Sequence, residues 1–80
     1  MISTLEKMVT KSVSGIGKAI PSMVKEDRVE IVRRLEEQGF FLIKGAIKVL
    51  VGKLNMSKFT IYNYLDGIRA ENNSRIWEKL

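Results

Sequence analysis

Neither cysteine nor histidine occurs in this 80-residue chain, and proline occurs once. Without thiols there is no disulfide framework and no thiolate metal site. Without imidazole the commonest metal ligand and general base is missing. The sequence therefore predicts no metal and no cofactor. The adjacent acids Glu36 and Glu37 would diverge on a helix rather than form a carboxylate pair, so no enzymatic activity is expected. Long apolar runs are also lacking. Nothing approaches the ~18 residues of a membrane span, and the N-terminus has no continuous apolar core of the signal-peptide kind. A cytoplasmic protein without a membrane partner is expected. There is no internal repeat and no low-complexity linker.

What is present is helical periodicity. Leu5, Met8, Val9, Val13 and Ile16 form an apolar stripe, preceded by Ser3 and Glu6 at capping-box spacing. The run Ser14-Gly15-Ile16-Gly17 weakens or ends that helix, and Pro21 excludes its continuation. A second helix is expected from about Lys25, with Glu26 and Asp27 at the positive end of its dipole. Val29, Ile31, Val32 and Leu35 make its buried side, and Gly39 ends it. From Ile43 to Leu54 the residues Ile43, Ala46, Ile47, Leu50, Val51 and Leu54 again keep helical spacing. Four or five helices and no strands are predicted, giving an all-α domain. With 45% hydrophobic residues the chain has a core to build, but at this length it has little stability to spare.

The most informative stretch is MSKFTIYNYL, residues 56 to 65. Ser57 is placed to cap a helix on which Ile61, Tyr64, Leu65 and Ile68 recur along one face. Lys58, Phe59, Tyr62, Asn63 and Asp66 fall on the other. Asn55 tolerates the left-handed conformation that a tight turn needs, and Met56 plugs the corner. Two helices meeting at such a turn make a helix-turn-helix. The outer face would then offer a phosphate partner, two aromatics and a carboxamide able to read adenine.

Charge agrees by location. The formal net charge is +5, and residues 39 to 70 carry Lys44, Lys48, Lys53, Lys58 and Arg69 against one acid, Asp66. The segment from Glu26 to Gln38 is balanced, with Arg28, Arg33 and Arg34 among its acids, and reads as a solvated face.

The segments GFFLIKGAIKVLVGKLNMSKFTIYNYLDGIR, GIGKAIPSMVKEDRVEIVRRLEEQG and TLEKMVTKSV together resemble the C-terminal helix-turn-helix domain of DauR/YheO-like bacterial transcriptional regulators, over residues 4 to 69. Three positions depart from that pattern. Val51, followed by Gly52, stands where the family prefers a small residue. Asn55 replaces the usual turn glycine, and Val24 replaces a frequent capping serine. The resemblance implies operator binding under the control of a PAS-like sensor domain in full-length relatives. No PAS-sized segment is present here, so the chain is either an excised domain or a natural short form.

These observations predict a sequence-specific domain that binds double-stranded DNA, with a recognition helix at about residues 57 to 68 in the major groove. Lys58, Phe59 and Asn63 are placed nearest base edges, and Ser57, Thr60 and Tyr62 near the backbone. Lys44, Lys48, Lys53 and Arg69 are the phosphate candidates. Tyr62 could instead cover the core, and Phe59 could lie under the preceding helix. Residues 1 to 20 read as a lead-in helix whose stripe is either core or the seam of a homodimer. Residues 21 to 70 are the DNA-binding domain, and residues 71 to 80 a tail. In the tail Asn72-Asn73-Ser74 would break the chain, and Ser74 would cap a short helix carrying Ile76, Trp77 and Leu80. The alternative reading is a helical interaction or dimerisation module that does not bind DNA.

Overall fold

A computed structural model describes the backbone of residues 4–78 and the side chains of residues 4–72. Four α-helices follow one another: α1, Thr4–Ile16; α2, Lys25–Glu37; α3, Ala46–Leu54; and α4, Lys58–Glu78. Short 3₁₀ turns at Ile20–Ser22 and Phe40–Leu42 join the first three, and no strand occurs among the described residues. The expected Ser3 cap and the side chains of Ile76, Trp77 and Leu80 lie outside the described residues.

The core collects where the predicted apolar faces converge. Ile31, Val32 and Leu35 of α2, Leu50 and Leu54 of α3, and Ile61 of α4 are fully buried around Phe40. Their burial removes large apolar surfaces from water, the main favourable contribution available to so small a chain. The α1 stripe faces this core within its own chain, because α1 packs on α2 and α3. Val9 is buried, and Leu5, Met8, Val13 and Ile16 are half-buried against the cluster. Gly15 lies inside α1, where a Cβ would press on the Arg34 guanidinium.

The start of α2 solves the missing capping serine by another route. Val24 offers no side-chain acceptor, so Asp27 turns back and its carboxylate accepts the Val24 amide at 3.2 Å, half of a capping box. The same oxygen takes a 3.0 Å ion pair from Lys18. The Lys18 hydrogen bond, with the Val24 amide behind it, holds the Asp27 carboxyl below its ordinary range.

Three expectations are corrected, the first at the start of α3. Although Ile43 is in register with Ala46, Ile47 and Leu50, it is extended (φ −85°, ψ 132°) and outside any helix. The chain first makes the 3₁₀ turn that buries Phe40, edge-on to Phe41 at 5.1 Å. It then enters α3 through Gly45, whose φ of 86° suits a residue without a Cβ. The second correction is at the far end, where α4 runs unbroken through Asn72, Asn73 and Ser74 to Glu78. Those residues cost at most about 0.7 kcal/mol each relative to alanine, too little to halt a helix already propagating.

The α2 face read as merely solvated is also more than that. Arg33 pairs with Glu30 at 2.9 Å and with Glu71 of α4 at 3.0 Å, while Arg34 pairs with Glu30 at 3.2 Å. The Glu30 bond, reinforced by Glu71, raises the pKa of the Arg33 guanidinium. Together with Arg69–Glu36 at 3.3 Å, these contacts tie the distal half of α4 to α2.

Candidate nucleic-acid interface

Helices α3 and α4 meet at a turn of three residues. Asn55 adopts the left-handed conformation (φ 53°, ψ 46°), the one described non-glycine residue at positive φ. Met56 is 9% exposed and fills the corner behind it. Ser57 then caps α4, its Oγ accepting the Thr60 amide at 3.2 Å. The two hydroxyls, Ser57 Oγ and Thr60 Oγ1, lie 2.8 Å apart. One O–H proton serves that bond and the other is free for an external acceptor.

The inner face of α4 is committed to the core through Ile61, Leu65 and Ile68, with Tyr64 half-buried beside them. Its outer face presents Lys58, Phe59, Tyr62, Asn63 and Asp66 to solvent. Phe59 is 78% exposed, which places it outside the preceding helix, and Tyr62 is 45% exposed. An open recess of about 590 Å³ separates this face from α3. Its floor is apolar, from Phe41, Ile43, Ala46, Ile47 and Val51, and Lys48, Lys58 and Tyr62 stand around it with no acid among the lining residues.

The basic residues named from the sequence are only partly brought together. Lys48 and Lys58 share the recess, and Lys44 is exposed in the segment leading into α3. Lys53 lies in a second hollow with Glu6, Val49 and Gly52, which Lys48 also borders. Arg69 is set apart. It is eleven residues beyond Lys58, about 16 Å along the helix axis, and its guanidinium is engaged by Glu36.

One residue central to this geometry had no recognisable sequence signal. From α2, Arg28 donates through Nη1 to the Leu54 carbonyl at 2.9 Å and through Nη2 to the Ile20 carbonyl at 3.3 Å. It satisfies an orphan carbonyl at the C-terminus of α3, directly before the turn. Among the interspersed charges of residues 26 to 38 nothing in the pattern separates it from a solvated arginine.

Two helices joined by a left-handed turn residue, the second capped and carrying an exposed polar face, constitute a helix-turn-helix. A family model described as an HTH domain matches residues 4–66, most of the chain. The protein belongs to this HTH domain family. No curated protein and no solved structure matches it.

Proposed function

We propose that this chain is a sequence-specific DNA-binding domain of a bacterial transcriptional regulator. The observation that carries the reading is the outer face of α4. Its first two turns present Lys58, Phe59, Tyr62 and Asn63 to solvent beside the acid-free recess bordered by Lys48. Residues at the N-terminal end of a recognition helix are those that reach base edges in the major groove. In this reading Lys58, Phe59 and Asn63 face the bases. Ser57, Thr60 and Tyr62 approach the backbone, and Lys44, Lys48 and Lys53 neutralise phosphates. Arg69 joins them only by exchanging Glu36 for a phosphate. The expected dependence on a PAS-like sensor domain, as in DauR/YheO-like regulators, and a cytoplasmic setting belong to the same proposal.

Binding as a homodimer fits a palindromic operator with recognition helices about 34 Å apart, one turn of the duplex. The pairing surface would then be something other than the full α1 stripe, since Val9 at its centre is already buried within its own chain.

Selecting bound duplexes from a random pool tests the reading, with sedimentation of the free chain and the complex to count copies. A preferred site bound well above random duplex is the expected result. Equal binding to every duplex would instead leave a non-specific DNA binder, and no binding to any duplex would favour a protein-interaction module.

A further inference from the structure

The DNA-binding reading leaves one side chain without a chemical partner. Phe59 is the second residue of α4 and is 78% exposed, whereas the other phenylalanines, Phe40 and Phe41, are buried and half-buried. It stands on a face otherwise made of Lys58, Asn63, Asp66 and the half-exposed Tyr62. Phe59 and Asn63 are four residues apart, so they are neighbours on one side of the helix, about 6 Å apart along its axis. A duplex rises about 3.4 Å per base pair, so two such side chains span about two base steps.

The edges of the major groove carry hydrogen-bonding groups and a single distinctive apolar one, the 5-methyl of thymine. Resting on the proposed DNA-binding function, we infer that Phe59 is a specificity residue that reads a thymine 5-methyl within about two base pairs of an adenine read by Asn63. An aromatic ring has no donor with which to engage a phosphate. Buried against a methyl, it loses the water contact that it keeps in the free protein. The two side chains then read opposite chemistries from adjacent steps, Asn63 a donor–acceptor pair and Phe59 an apolar group.

Deoxyuridine differs from thymidine only in lacking that methyl. In the duplex preferred by the wild-type chain, each thymine is replaced singly by uracil and binding is followed by fluorescence anisotropy. At one thymine per half-site the replacement should weaken wild-type binding about three- to five-fold, the equilibrium equivalent of one methyl leaving water. Phe59→Ala should bind the thymine and uracil forms alike, and Phe59→Leu should keep part of the difference. Because Phe59 is exposed, both variants should unfold at the wild-type temperature. A preferred duplex without thymine, uracil replacements that are silent throughout, or discrimination that survives in Phe59→Ala would each overturn the inference and leave DNA recognition standing. Failure to select any preferred duplex would remove both.

Discussion

Arg28 and Leu54 are 26 positions apart in sequence, yet the guanidinium of the first donates at 2.9 Å to the carbonyl of the second. The bond fixes α2 to the last residue of α3, where the chain turns toward the proposed recognition helix. Its second arm, to Ile20, gathers the segment before α2 into the same junction. Hydrogen bonds from a charged donor contribute about 1.5–3 kcal/mol, and a part-buried carbonyl deprived of its donor keeps its desolvation cost. Arg28→Met should therefore lose about 2 kcal/mol in urea unfolding, while Arg28→Lys, without the planar fork, should recover only part of it. Unchanged midpoints in both would show that water replaces the guanidinium at no cost.

Ser12 is 4% exposed on the inner side of α1, and its hydroxyl has no hydrogen-bond partner among the described residues. A buried, unsatisfied hydroxyl is destabilising, and alanine is the better helix former. Ser12→Ala is expected to raise stability by about 1 kcal/mol. A decrease on substitution would mean that the hydroxyl has a partner after all, such as a bound water.

Asp27 supplies a pH dependence of definite sign. Its carboxyl is held below the ordinary range by Lys18 and the Val24 amide, so the folded chain binds that proton less readily than the unfolded chain. The associated stability is fully present above the unfolded value, about 3.9 for aspartate, and is lost as pH falls through the lower folded value. Asp27→Asn should be less stable than wild type at neutral pH, with the gap closing on acidification through that window. Parallel curves for the two proteins would show that the ion pair contributes nothing.

The parts of the fold that were legible depended on neighbours close in sequence. The Ile61, Leu65, Ile68 stripe, the Ser57 cap and the left-handed Asn55 follow from spacing and side-chain chemistry within a few residues. So does the start of α2 at Lys25. Periodicity misled at Ile43 because it reports which residues would share a face if the backbone were helical. It says nothing of whether burial of Phe40 and a left-handed Gly45 take the chain elsewhere. The ties of α4 to α2 were hidden for a different reason: Arg33–Glu71 and Arg69–Glu36 join positions 38 and 33 apart, which no local pattern can pair.

Those ties separate the basic residues into two groups that salt titration can distinguish. Among the described residues Lys44, Lys48 and Lys58 have no carboxylate partner, whereas Arg69 already has one. Each phosphate neutralised contributes about −0.9 to the slope of log affinity against log salt. Lys44→Ala and Lys48→Ala, at two of the residues assigned to phosphates, should each make the slope shallower by about that amount. Because a phosphate bond carries no direct sequence information, Lys48→Ala should weaken preferred and random duplexes alike. Arg69→Ala should leave the slope near its wild-type value and, as an exposed pair, cost at most about 1 kcal/mol of stability. Leu50→Ala is the control for unfolding: Leu50 is fully buried, and its truncation should lose about 2–5 kcal/mol and all binding together with the fold. A slope as shallow in Arg69→Ala as in the lysine variants would show that Arg69 leaves Glu36 for the backbone and that the distal half of α4 also lies along the duplex. A flat salt response in the wild-type chain would remove the phosphate-binding surface altogether.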